Sequence, residues 1–387
     1  MSESLKIAFY TDTFLPATDG VVTAILNFRK ELTKRGHDVY IFASGDSYTR
    51  QIAKKQKNIF VVRGVKFRKY PQYNLAFFPF VSTIKVTRMK IDVIHSHTPF
   101  MMGFYALLLS KMNKIPITST FHTLFTDKSV IKEYTINNKR INTMVWKYSW
   151  RYARFYYNRC NSVIAPSDTV RKLLARKGIK AQYIVPSGVD LKRFNSQVNG
   201  DKIRDKLVKN RKDKVVLYIG RLSKEKRLDT LLEAARILKN QNITFLVGGT
   251  GPAAHHYQKL AERMHIKDKV RFLGFVEDKK LPQYYAACDV FCLPSKFETQ
   301  GMVALEAMAC DKPVVGSDYL ALKELIKNGK NGERFIPGNG TSCARKIEEV
   351  LYNRDSYKEM VNTAKQYSVE KTTDELLNVY KKLIYNT

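Results

Sequence analysis

Acidic side chains are scarce in this chain. Its 387 residues hold 35 Asp and Glu against 67 Lys and Arg, a formal charge of +32 at pH 7. An excess of that size implies a polyanionic partner, and nucleic acid, an anionic lipid surface and a phosphorylated substrate all qualify. Cysteine is scarce as well. Cys160, Cys288, Cys292, Cys310 and Cys343 are odd in number and scattered, with no CxxC pair and no secretory leader upstream. That gives no disulfide framework and leaves no zinc site proposed, and it points to a reduced, cytosolic setting. The closest pair, Cys288 and Cys292, flanks a strand-like run and reads as core packing. Long apolar runs are missing too: the longest, Phe100 to Leu109, is about half of what a membrane-spanning helix requires, so any meeting with a membrane is at its surface. The loop Thr11 to Val22 lacks GxGxxG, which leaves a dinucleotide fingerprint unsupported.

An apolar content of 44% excludes disorder and fibrous repeats and suffices for two domains of ordinary size. The chain opens with an apolar run at Leu5 to Thr11 and a loop. Val21, Ile25, Phe28 and Leu32 then share one face of a helix that Gly36 closes before a strand at Val39 to Ala43. Strand, loop, helix and strand in close succession form a βαβ unit, hence a parallel sheet. Further strands are expected at Asp92–His95, Ile117–Phe121, Ser162–Ala165 and Tyr183–Val185. A polar stretch to Lys214 follows, and the alternation restarts at Val215–Ile219. Strands at Thr244–Val247, Val270–Leu273, Val290–Leu293 and Pro313–Val315 come next. Two doubly wound α/β domains are expected, at 1–190 and 191–365, with ligands at the carboxyl ends of the strands in the cleft between them. A last helical segment, 366–387, is free to cross back onto the first domain. Charge is uneven: residues 1–190 carry 31 basic and 11 acidic side chains, a net +20.

Several residues stand where chemistry is done. Gly20 lies at the mouth of the first helix, as a phosphate contact or as a turn glycine. Arg221 and Lys226 follow the first strand of the second domain, placed to hold a diphosphate or merely solvated. Gly248, Gly249 and Gly251 either let the backbone approach a ligand or turn the chain. The most specific signal is Phe297 to Glu306. There Glu298 precedes a helix that Gly301 opens, and Glu306 lies about 1.5 turns into it. One carboxylate can take hydrogen bonds from a sugar and the other from a ribose, while the helix start faces a phosphate.

Glu298 and Glu306 at E-x7-E spacing, Arg221 and Lys226 in GR-x4-K, the GGTGP turn, Pro186 to Asp190 and Phe121-His122-Thr123 occur in one order. Together they resemble the retaining nucleotide-sugar glycosyltransferases of family 4, over essentially the whole chain. The resemblance implies the GT-B fold, two Rossmann-like domains facing each other across a cleft. It implies that Arg221 and Lys226 bind the donor diphosphate, Glu306 the ribose and Glu298 the transferred sugar. Gly301, Met302 and Val303 would give backbone contacts, Gly20 one from the opposite domain, His122 would lie against the donor sugar, and the base would be held near Gly274 to Val276. No Asp-x-Asp pair exists in the chain, so the metal clamp of the other main glycosyltransferase fold has no ligands, and no cofactor is implied. Arg221, Lys226 and the helix start would stabilise the leaving diphosphate instead.

Two stretches of the first domain join positive charge to aromatic rings. One is Arg63 to Phe80. The other, Ile141 to Arg159, reads as a helix with Ile141, Val145, Tyr148, Tyr152 and Phe155 on one stripe. Lys147, Arg151 and Arg154 form a second, and the only tryptophans, Trp146 and Trp150, a third. A basic, Trp-bearing helix suits an anionic lipid interface; alternatively its first stripe is core and its cations are solvated. Family members that glucosylate diacylglycerol at the inner membrane face share Glu298-Thr-Gln-Gly301. The resemblance thus implies a peripheral enzyme moving a hexose to a membrane lipid, with UDP-glucose as the expected donor; GDP-mannose and a soluble glycan acceptor are its alternatives. A nucleic-acid partner is set aside, since no such module is visible and the E-x7-E helix has no purpose there.

Overall fold

The computed structural model describes residues 4–67, 70–76, 89–134, 138–208 and 210–385. The chain divides into two compact units, Met1–Gly188 with Val369–Thr387, and Val189–Ser368.

In the first unit β1 (Lys6–Thr11) is buried on both faces, as its uninterrupted apolar sequence requires of a central parallel strand. Helix α1 (Gly20–Lys34) buries Val21, Val22, Ala24, Ile25, Phe28 and Leu32 and leads to β2 (Asp38–Gly45). Then come α2 (Ser47–Lys54), β3 (Ile59–Phe67), β4 (Tyr70–Ala76), β5 (Val93–Ser96), α3 (Met101–Asn113) and β6 (Ile117–Thr120). Helices α4 (Lys128–Tyr134) and α5 (Lys139–Tyr157) precede β7 (Ser162–Ala165), α6 (Asp168–Arg176) and β8 (Tyr183–Ile184). The sheet runs β4-β3-β2-β1-β5-β6-β7-β8, parallel except for the β3–β4 pair. Strand order reverses between β1 and β5, so the crevice for a ligand opens beyond their carboxyl ends. The basic-aromatic stretch from Arg63 falls largely on β3 and β4; its residues 68, 69 and 77–80 lie outside the described residues.

The second unit repeats the scheme. After α7 (Asp201–Leu207) and β9 (Lys214–Ile219), α8 (Leu228–Ile237), β10 (Ile243–Gly248), α9 (Ala254–Arg263) and β11 (Val270–Gly274) build one wing. The other wing consists of α10 (Leu281–Ala287), β12 (Val290–Leu293), α11 (Met302–Ala309), β13 (Val314–Ser317), α12 (Leu320–Leu325) and β14 (Gly332–Phe335). Helices α13 (Gly340–Tyr352) and α14 (Met360–Gln366) follow. The order is β11-β10-β9-β12-β13-β14, with every pair parallel and the reversal between β9 and β12. Cys288, Cys292, Cys310 and Cys343 are free thiols buried in this core, and Cys292 Sγ lies 3.8 Å from Cys343 Sγ.

Helix α15 (Val369–Tyr385) belongs to the first unit. Leu376 and Tyr380 join Ile25 and Phe28 of α1 in one core. Arg35 pairs with the Asp374 carboxylate and donates to the Glu370 carbonyl at 2.8 Å. The handover is marked by Val189, whose N–H donates to the Tyr367 carbonyl at 2.9 Å within the second unit.

Candidate active site

In the second unit the loop after β9 and the loop after β12 flank the point of strand reversal. Lys226 Nζ donates to Glu298 Oε1 at 2.7 Å, and both side chains are mostly buried. The first loop is fixed by its own backbone: the Tyr218 hydroxyl donates to the Arg221 carbonyl at 3.0 Å and the Tyr257 hydroxyl to that of Ser223 at 3.2 Å.

GGTGP has a structural role that spacing left open. Gly249, at φ +131°, and Gly251, at φ +159°, lie directly on this loop. A Cβ on Gly249 would sit 1.9 Å from the Gly220 carbonyl oxygen, and one on Gly251 2.4 Å from that of Leu222. Leu222 N–H donates to the Thr250 carbonyl, and Ala253 N–H to that of Leu222, both at 2.9 Å. The glycines let two loops lie backbone against backbone, and Arg221 and Lys226 belong to the one that follows β9.

Gly301, at φ +91°, opens α11 in the left-handed conformation, and Met302 and Val303 are half-buried at its first turn. Glu306 is no surface carboxylate: it is 7% exposed and accepts a 2.7 Å hydrogen bond from the Tyr285 hydroxyl. Burial pushes it up to about 7, against the downward pull of Tyr285 and of Arg193. Val276, just past β11, packs partly against the core.

The first unit holds a second cluster. His122 follows β6, and its Nε2 lies 3.0 Å from His97 Nδ1, with the rings stacked at 5.2 Å. His97 stacks in turn on His95 at 4.1 Å. His95 is held at both nitrogens, by the Tyr380 hydroxyl and by Thr120 Oγ1, each at 2.7 Å. Phe9 meets both His95 and His97 edge-on. Burial lowers all three imidazoles, His122 to about 4, so the stack is neutral at pH 7. Reading the sequence singled out His122 and missed His95 and His97. Their signal was the H-x-H spacing at the carboxyl end of a strand.

Asp12 was missed as well. It is fully buried, accepting from Thr98 Oγ1 at 2.6 Å and from the N–H of Met102 at 3.0 Å. It thus caps α3, and desolvation raises it to about 6. At the mouth of α1 the expected phosphate position beside Gly20 already faces a carboxylate. Asp19 Oδ1 accepts from Val21 N–H and Val22 N–H, each at 3.0 Å.

The tryptophan stripe of α5 requires correction. Trp150 is 7% exposed and lies with Ala153, Tyr156 and Tyr157 on the buried side. Trp146 is half-buried beneath the ammonium groups of Lys128 and Lys177, 4.6 and 4.9 Å from its ring. Tyr148 and Phe155, placed with the possible core stripe in the sequence, point outward beside Lys147, Arg151 and Arg154. Gly103 of α3 makes room on this face: a Cβ there would lie 2.8 Å from the Tyr156 hydroxyl and 3.0 Å from Ser96 Oγ, and that hydroxyl donates to Ser96 Oγ at 2.6 Å. No helix is long and apolar enough to cross a membrane, and no cluster of His, Cys, Asp and Glu suited to a metal ion occurs, among the described residues.

Comparison with known proteins identifies the family of the chain. Residues 18–193 match the model of Glycosyltransferase Family 4, and residues 199–367 that of Glycosyl transferases group 1. An alpha-monoglucosyldiacylglycerol synthase of Streptococcus pneumoniae is 30% identical over 94% of this chain and 82% of its own length. One of Acholeplasma laidlawii is 27% identical over 86% and 85%. Anabaena Alr3699/HepE, solved in complex with UDP and glucose, superposes with a TM-score of 0.76 over 98% of this chain and 100% of its own, at 20% identity. With both units matched and the strand orders above, the chain belongs to the family 4 glycosyltransferases of group 1 and has their GT-B fold.

Proposed function

We propose that the protein transfers a hexose, glucose from UDP-glucose, to a membrane lipid such as diacylglycerol, with retention of configuration and without a metal ion. The observation that carries this reading is the meeting of Lys226 and Glu298 at 2.7 Å beside the helix start at Gly301. A cation for the diphosphate and a carboxylate for the sugar hydroxyls are thereby held at one point. In the transfer the bond from the sugar's anomeric carbon to the diphosphate oxygen breaks. A bond from the acceptor hydroxyl forms on the same face, and the acceptor's proton leaves with the diphosphate. Arg221, Lys226 and the N–H groups of Met302 and Val303 stabilise the charge that develops on that leaving group. Glu306 takes the ribose hydroxyls and Val276 lies at the base; in the first unit His122 is the candidate catalytic side chain.

The lipid acceptor is supported by the names of the two synthases above, by Glu298-Thr-Gln-Gly301, and by the +20 of residues 1–190. A peripheral position on the inner face of the cell membrane follows from the same charge. The test is incubation of the purified protein with UDP-glucose and diacylglycerol in anionic vesicles, with product identified by mass. GDP-mannose, a soluble sugar and an oligonucleotide serve as parallel arms. A glycolipid formed from UDP-glucose alone is expected. Turnover independent of lipid, or from GDP-mannose alone, overturns the acceptor or the donor respectively.

A further inference from the structure

Helix α3 is apolar on all sides. Inward it buries Met102, Tyr105, Ala106, Leu107 and Leu109. Outward it exposes Met101, Phe104, Leu108 and Met112, at 45%, 47%, 39% and 64%, with Lys111 as the one charged side chain among them. Steps of three, four and four residues line these up along one side. A helix of this kind is ordinarily covered. On α5 the outward side carries Met144, Tyr148 and Phe155 between Arg140, Lys147, Arg151 and Arg154. The two helices are neighbours: a Cβ on Gly103 of α3 would lie 2.8 Å from the Tyr156 hydroxyl, and the Tyr152 hydroxyl donates to the Pro99 carbonyl.

We propose that the outer sides of α3 and α5 form one docking surface for an anionic lipid bilayer. The stripe of α3 enters the boundary between headgroups and acyl chains, and the cations of α5 meet the phosphates. Charge decides the occupant. Neither helix contains an acidic residue, and the sequence from Val93 to Ser167 holds ten basic and two acidic side chains. A second copy docking face to face would set cations against cations, whereas lipid phosphates complement them. At 13 residues, α3 is about 20 Å long, a length that lies along an interface and does not cross it. The surface deepens the lipid-acceptor reading, but its test does not depend on catalysis.

The test is sedimentation of the purified full-length chain with vesicles of phosphatidylglycerol and phosphatidylcholine, against phosphatidylcholine alone. Phe104→Ser with Leu108→Ser should weaken partitioning by about tenfold or more on both. Lys147→Ser, Arg151→Ser and Arg154→Ser together should cost about a hundredfold on anionic vesicles at low salt and little on neutral ones. Leu108→Trp should strengthen partitioning severalfold with its melting temperature unchanged and no pellet without vesicles, and Tyr352→Ser in the second unit should change nothing. Equal partitioning of all variants, absence of wild-type binding, or a wild-type dimer that Phe104→Ser with Leu108→Ser dissolves overturns the surface. Turnover of detergent-dispersed diacylglycerol by the same variants separates the two readings. Vesicle binding without any glycolipid overturns the transfer and leaves the docking surface standing. Transfer without bilayer binding does the reverse.

Discussion

His97 Nδ1 and His122 Nε2 lie 3.0 Å apart, and each ring stacks on its neighbour in a pile that ends at the Tyr380 hydroxyl. Between two neutral imidazoles one ring donates and the other accepts, so His97 fixes both the tilt and the proton of His122. Replacing His122 by Ala should lower kcat while vesicle partitioning stays unchanged. Replacing His97 by Ala should lower kcat by about ten- to hundredfold through misplacement of His122. Donor KM is expected to stay within about twofold. A change confined to KM would show that His97 does not act through His122.

The Lys226–Glu298 contact predicts a coupled pair. Lys226→Ala should reduce kcat by about a hundredfold or more, since a cation preorganised for the leaving group is lost. Glu298→Ala should lower turnover more than vesicle binding. Steady-state kinetics on the double variant should show less than the product of the two single effects, because the partners meet directly at 2.7 Å. Strict multiplication would place them in separate steps.

Glu306 gives a pH dependence with a definite sign. Its folded value of about 7 lies above the ordinary 4.5, so between those values the native state binds the extra proton. Stability from this group is therefore lost as pH rises through 7, by on the order of 3 kcal/mol at most. Glu306→Gln should raise the melting temperature of the ligand-free protein at pH 8 and leave it nearly unchanged at pH 5, while weakening donor binding. Donor affinity of the wild type should rise from pH 6 to 8, since the ionised carboxylate accepts ribose hydroxyls better. Thermal scans and donor titrations at these pH values check both.

Gly249→Ala should destabilise the protein by more than about 1 kcal/mol, since φ +131° and a carbonyl oxygen 1.9 Å from the new methyl both oppose it. It should also weaken donor binding, because the displaced backbone is that of the Arg221 loop. Gly20→Ala, whose added Cβ meets nothing within 4 Å, is the contrasting case, and its effect on the urea midpoint should be small.

The doubly wound fold was legible because its central strands are short apolar runs bounded by loops, and Ser162–Ala165 and Val290–Leu293 were placed to the residue. Strand β14 was not, since Gly-Glu-Arg-Phe has no apolar run. Its Glu333 is buried because its carboxylate accepts from Lys346 Nζ at 2.7 Å, from the Gly329 N–H at 2.8 Å and from the Tyr357 hydroxyl at 3.2 Å. Strands β3 and β4 hid behind their charge and aromatic content. In the candidate site, Lys226 and Glu298 were singled out separately by motif, but their contact across 72 positions depends on β9 and β12 being neighbours. The inward face of α5 was misread because both of its candidate stripes are aromatic. Periodicity gives the spacing of a stripe, and only the packing of Tyr156 against Gly103 and Ser96 decides which one turns in.

The place of α15 bears on how the chain is made. A ribosome releasing the chain from its N-terminus delivers all of residues 189–368 before Leu376 and Tyr380 emerge to cover Ile25 and Phe28. The unit begun first is thus closed only after the second has been made, with its apolar strip and His95 uncovered until synthesis reaches α15.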